Sequence, residues 1–245
     1  MGIMLENTSL TDALSAALRK QIIAGDVAPG EKLSEAWVAT RFDVARPTAR
    51  ASIDRLTHEG MLRRGQRRSA VVPQLSAEDI HDIYFSREPI ESRAVVALAE
   101  RGEVPPEADK ALAMMSMAAD SDQHAEHTEA DISLHRALVR AAGSPRLRRM
   151  HETVMGESQL CIAQVRTRSG VDLAALTRTH AAILDAIRAC DPDEAVEALK
   201  RDLYGCRDTL LLDVAKKIAD IAEGLRAGET SGCLVTADAP QYFAS

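Results

Sequence analysis

The chain has 245 residues, 46% of them hydrophobic and only 3% aromatic, with a formal charge of −7. That is enough apolar sequence for one large core or, the better expectation, two ordinary domains. No basic n-region leads into an apolar stretch and no run of about 18 apolar residues occurs, so neither export nor membrane insertion is expected and the chain reads as cytoplasmic. Cys161, Cys190, Cys206 and Cys233 have no C-x-x-C spacing and read as reduced thiols.

The net charge hides an asymmetry. Residues 1–75 carry 11 Lys/Arg against 8 Asp/Glu, and the remainder carries 19 against 29. A mildly basic head on an acidic body suits a nucleic-acid-binding module joined to something else. Abundant Ala and Leu with few β-branched runs predict a mainly helical chain.

In the head, Leu10, Ala13, Leu14, Ala17, Leu18 and Ile22 repeat at helical spacing until Gly25. Pro29-Gly30 makes a turn, and Ser34 is the N-cap of a short helix to about Phe42. A third helix runs from about Arg46 to Gly60, with Pro47 in its first turn. Its inward stripe is Ala49, Ile53 and Leu56, while Arg46, Thr48 and Arg50 crowd the outward side of its N-terminus. A helix pair that presents Arg and Thr in this way matches a helix-turn-helix reader of the DNA major groove. The stretch "MLRRGQRRSAVVP" then predicts a basic β-hairpin around Gly65, a wing that sets Arg63, Arg64, Arg67 and Arg68 along phosphates or in the minor groove.

"IIAGDVAPGEKLSE" followed by "VARPTARASIDRLTHEGML" resembles the winged-helix domain of the GntR family of bacterial transcription regulators. The resemblance covers nearly the whole head. It implies DNA contacts by Arg46, Thr48 and Arg50 from the recognition helix and by Gln66 and Arg67 from the wing tip. Ala45 stands where a hydroxyl residue is usual and Thr48 where Val is common, and the wing has one glycine where two are usual.

In the body, Ser76 and Asp79 form a capping box ahead of a helix with the stripe Ile80, Ile83, Ile90, Ala94 and Ala97, which Pro89 is expected to kink. Helices are predicted at about 106–119, 122–142, 145–168, 172–190 and 192–225. Ser144-Pro145 and Asp191-Pro192 mark two of the starts. The fold expected is therefore mainly α, with a winged helix-turn-helix domain over residues 8–74, an all-α antiparallel bundle over 76–225 and a tail over 226–245.

The candidate chemistry of the bundle is sparse. Asp131 and His135 are one turn apart on one helix, His180 heads the stripe Ile183, Leu184 and Ile187, and Asp202 lies among Leu199, Leu203 and Cys206. Such residues are either ordinary hydrogen-bonded groups or, facing a bundle core, the ligands of a metal drawn from several helices. His81, His124, His127 and His151 fit no pattern and are expected at the surface.

The motifs "REPIE", "DISLH" and "THAAILDAI" resemble those of the FCD effector-binding domain, the helical bundle that follows the winged helix in one GntR subfamily. The resemblance implies a divalent metal held by Asp131, His135, His180 and the residue at 202, where Asp202 replaces the family's final histidine. Zn²⁺, Mn²⁺ or Ni²⁺ fits such a donor set, and the added carboxylate favours harder ions such as Mn²⁺ or Mg²⁺. It also implies a small carboxylate effector met by Arg87, with Arg166 near the same cavity. The alternative for Arg87 is a surface pair with Glu91 four residues on.

Together these features predict a homodimeric regulator, not an enzyme, that binds double-stranded operator DNA and is most often a repressor. Three alternatives stay open: a metal that is itself the signal, a metal-dependent enzyme, and a metal site lost with the change at 202.

Overall fold

The computed structural model describes residues 9–65, 69–165 and 171–226. Gln66, Arg67 and Arg166, and the tail after residue 226, lie outside them.

Local signals account for most helix ends. Helix α1 (Leu10–Ala24) opens on a capping box, Ser9 accepting from the Asp12 amide and Asp12 accepting from Ser9, and closes at Gly25 with φ +83°. Ser34 caps α2 (Glu35–Phe42) by accepting from the Trp37 amide. Helix α3 (Arg46–His58) starts at Ala45 with Pro47 in its first turn and no side-chain cap, and stops two residues short of Gly60. One element was not expected: strand β1 (Lys32–Ser34) pairs antiparallel with β3 (Ser69–Val71), which pairs on its other side with β2 (Arg63–Arg64). In the three-stranded sheet, ordered β1-β3-β2, Leu33 faces Ala70, so both inward side chains join the head core of Leu14, Leu18, Val38, Ile53 and Leu56.

The described residues of the body form six helices. Helix α4 (Ala77–Ala99) begins at the Ser76–Asp79 capping box and continues through Pro89. Then come α5 (Pro106–Asp120), α6 (His124–Ala141), α7 (Pro145–Val165), α8 (Leu173–Arg188) and α9 (Pro192–Arg226). Both marked starts are used: the Leu147 amide donates to Ser144 Oγ at 3.3 Å, and the Glu194 amide to Asp191 Oδ1 at 3.0 Å. Helix α4 packs on α7 and α9, α5 on α6 and α8, and α8 on α9, so that all six are joined in one bundle. A single hydrophobic cluster runs from Leu14 in the head to Leu210 in the body, and α7 touches both parts.

Candidate metal and effector site, and the DNA-reading head

Five helices deliver polar side chains to the bundle interior. Helix α4 brings Arg87 and Glu91, α6 brings Asp131 and His135, α7 brings His151 and Ser158, α8 brings His180, and α9 brings Asp202, all buried. Packed into an otherwise apolar core, each must find a partner, since an unpaired buried charge costs several kcal/mol.

Glu91 is the hub. Its Oε1 accepts from Arg87 Nε at 2.7 Å and from His151 Nε2 at 3.1 Å, and its Oε2 accepts from His135 Nδ1 at 2.6 Å. Burial opposes its charge, but Arg87 and His135 hold the carboxyl well below the ordinary range. Arg87 also donates from Nη1 to Ser158 Oγ at 3.0 Å and lies over the Tyr84 ring, while its buried Nη2 has no hydrogen-bond partner among the described residues.

The two expected ligand histidines have their tautomers set by their outer neighbours. Leu176 O can only accept, so His180 Nδ1 carries the proton in their 2.8 Å bond, and Glu91 does the same for His135. Both Nε2 atoms are thereby left with lone pairs, and they face each other at 3.2 Å. Asp131 Oδ1 stands 3.4 Å from each. Ligand atoms of Asp131, His135 and His180 all fall within 4.8 Å of one another. With both imidazoles neutral these are three acceptors aimed at one point, an arrangement that could hold a metal ion.

Charge counting agrees. Three ionised carboxylates (Glu91, Asp131 and Asp202) face one guanidinium (Arg87), a net −2. Either one divalent ion or protons on both imidazoles neutralise it. Without metal the protons serve: burial disfavours the imidazolium, but Glu91 overrides it and pushes His135 up to about 10, and Asp202 and Asp131 likewise raise His180.

Asp202 stands just beside the three-residue group. Its Oδ1 accepts from Thr179 Oγ1 at 2.9 Å and lies 3.3 Å from His180 Nδ1, and its Oδ2 is 3.4 Å from His135 Nε2. Asp202 is not among the three residues whose ligand atoms all lie within 4.8 Å of one another.

Two expectations are corrected here. His127 and His151 are buried, not at the surface: His127 Nε2 lies 3.0 Å from Thr177 Oγ1, and His151 bonds the hub. Arg87 is paired with Glu91, as one alternative held, but inside the bundle and not on its surface. Sequence reasoning missed Glu91 as the hub and His151 as its partner. The spacing His151, Met155, Ser158, Ile162 was the available signal, an inward stripe that begins with a histidine.

In the head, Arg46 and Arg50 are exposed and Thr48 is half-buried on the first turn of α3. Arg50 stays loosely held, 3.8 Å from Glu35 and 3.9 Å from Asp54. On the wing strand, Arg64 pairs with Asp54 at 2.7 Å and Arg63 with Asp79 of α4 at 3.1 Å. Gln66 and Arg67, expected at the wing tip, lie outside the described residues.

Comparisons with known proteins follow the same division. The model of the gntR family of bacterial regulatory proteins matches residues 10–72, and that of the FCD domain matches residues 82–205. An uncharacterized HTH-type transcriptional regulator of Bacillus subtilis, YdhC, is 35% identical over 78 residues, 32% of this chain and 35% of that protein. The HTH-type transcriptional repressor NanR of Enterobacter sp. is 25% identical over 228 residues, 81% of this chain and 84% of its own. A solved GntR transcriptional regulator from Rhodococcus sp. RHA1 superposes with a TM-score of 0.68 at 24% identity, covering 82% of this chain and 97% of that one. No described helix is long and apolar enough to cross a membrane.

Proposed function

Because the chain belongs to the GntR family of DNA-binding transcription regulators and carries an FCD domain, we propose that it is a cytoplasmic repressor whose operator affinity is set by a small carboxylate bound beside a divalent metal in the helical bundle. The observation that carries this reading is the convergence of two imidazole Nε2 atoms and Asp131 Oδ1 in a buried cluster that also holds Glu91, Asp202 and Arg87. His135, His180 and Asp131 would hold the ion, with Asp202 as the fourth ligand. Two nitrogens and two oxygens suit Mn²⁺, Zn²⁺ or Ni²⁺. The ion would supply positive charge for an anion, and Arg87 Nη2 offers a buried N–H with no acceptor among the described residues.

In this reading residues 8–74 read DNA, 76–225 sense the ligand and 226–245 form a tail. Two copies related by a two-fold axis present one α3 each to the half-sites of an operator, with Arg46, Thr48 and Arg50 at the bases and the wing, including Gln66 and Arg67, on the backbone. Arg166 is kept as a second effector contact. Repression is favoured by the likeness to NanR, a transcriptional repressor.

Elemental analysis of the purified chain tests the metal: a stoichiometric divalent ion that is lost in His180→Ala supports the reading, and no ion in the wild type refutes it. The double variant Arg46→Ala/Arg50→Ala tests the head and should lose about tenfold or more in operator affinity, since each such contact is worth about 1–3 kcal/mol. A second reading, in which the metal alone is the signal, draws support from Arg87, already held by Glu91 and Ser158.

A further inference from the structure

Helix α7 has two working faces. At 3.6 residues per turn, His151, Met155, Ser158 and Ile162 line one side and Thr153, Gly156, Leu160 and Gln164 the other. The first side joins the buried polar cluster through His151 on Glu91 and Ser158 on Arg87. The second side receives the head. Thr153 Oγ1 donates to His58 O at 3.0 Å, at the C-terminal end of the recognition helix. Gln164 accepts from the Leu75 amide at 3.2 Å and donates to Pro73 O at 2.7 Å, gripping the segment that joins head to body.

Two glycines make this contact unusually close. A Cβ at Gly156 would stand 1.6 Å from Glu59 O, and one at Gly60, which has φ +78°, would stand 2.6 Å from Thr153 O. Glycine in mid-helix costs about 0.5–1 kcal/mol relative to alanine. At Gly156 that cost goes with a backbone-to-backbone approach that no other residue permits. A second tie runs beside it: Arg136, the residue after His135, pairs with Glu152, the residue after His151, at 3.0 Å, and Arg19 of α1 pairs with Glu59.

We propose that α7 is the transmission element of the protein, with Gly156 as the positioning residue through which a shift of the His151/Ser158 face moves His58–Gly60 and hence α3. Rows of packed side chains with a direct backbone contact act as rigid connectors, so a displacement on one side of the helix appears on the other. The proposal rests on the reading that the buried cluster takes a ligand.

Amide hydrogen exchange on the metal-free full chain separates the two claims. His151→Ala touches only the core face, yet it should speed exchange at residues 57–62 by about fivefold, with less than about twofold change in α8. Ser158→Ala should act in the same direction, and His151→Gln, which keeps a donor for Glu91, should restore the wild-type rate. Gly156→Ala should raise exchange at 57–62 by itself and remove any further effect of His151→Ala. Unchanged exchange at 57–62 in both His151→Ala and Ser158→Ala overturns the proposal.

With Zn²⁺ as the probe, wild-type affinity for a selected DNA site should change by about tenfold and that of Gly156→Ala by less than about twofold, at equal Zn²⁺ binding. An equal response in Gly156→Ala overturns the coupling. A silent wild type beside the expected exchange results leaves α7 as the connector and removes the metal from the reading of function.

Discussion

Replacing Glu91 by Gln probes the hub directly. Glu91 is 2% exposed and takes three hydrogen bonds, from Arg87 at 2.7 Å, His135 at 2.6 Å and His151 at 3.1 Å. The substitution keeps the shape and one acceptor but removes the charge that neutralises Arg87, itself fully buried. Breaking a buried ion pair by removing one partner costs about 3–5 kcal/mol. For a chain of this size each kcal/mol lowers the melting temperature by about 2–4 °C, so the loss should be about 6–20 °C. The assay is thermal unfolding of the metal-free chain by circular dichroism, with Glu88→Gln as control. Glu88 accepts one long hydrogen bond, 3.4 Å, from the Tyr204 hydroxyl and makes no close ion pair among the described residues, so it should shift the midpoint by about 2 °C at most. A Glu91→Gln midpoint within about 2 °C of wild type would refute the assignment of Glu91 as the charge that organises the cluster.

Three further outcomes are expected. Asp202→His exchanges an oxygen ligand for a nitrogen and removes one negative charge, so preference for Zn²⁺ or Ni²⁺ over Mn²⁺ should rise by about tenfold in competition experiments; an unchanged ratio places Asp202 outside the metal's reach. In the metal-free chain, His135 is pushed up to about 10, above the unfolded value of about 6.5. Its contribution to stability is therefore complete below about pH 6.5 and is lost as pH rises toward 10, a trend that midpoints measured across that window check. Metal binding needs bare imidazoles, so the midpoint gain from added Mn²⁺ should run the opposite way, small near about pH 6 and larger near about pH 8.5, and a gain independent of pH would contradict ligation by His135 and His180.

The helices were legible because their ends carry strong local chemistry: Ser76 with Asp79, Ser34, Gly25, Asp191 with Pro192. Strand β1 was not, since three residues of alternating exposure hold no pattern apart from the partner strand that comes 37 residues later. Asp131, His135 and His180 stood out by spacing and by resemblance, and the fold brings them together. His151 escaped because its neighbours, "RRMHETV", are largely polar and exposed or half-buried, and only the packing of α7 between head and bundle shows that this one side chain turns inward. Glu91 was visible four residues after Arg87, but its three simultaneous partners come from α4, α6 and α7, and no local pattern records such a convergence. The closeness of α7 to α3 at Gly156 is of the same kind, a glycine whose reason lies about a hundred residues away in the chain.

The most direct test of the account is operator affinity by fluorescence anisotropy, with the metal-stripped wild type and Arg87→Ala titrated first with Mn²⁺ or Zn²⁺ and then with a panel of small carboxylic acids. The expected result is that one acid, in the presence of metal, changes wild-type affinity by about tenfold, while Arg87→Ala still binds DNA and no longer answers to that acid. Affinity that ignores every acid and both metals would contradict it.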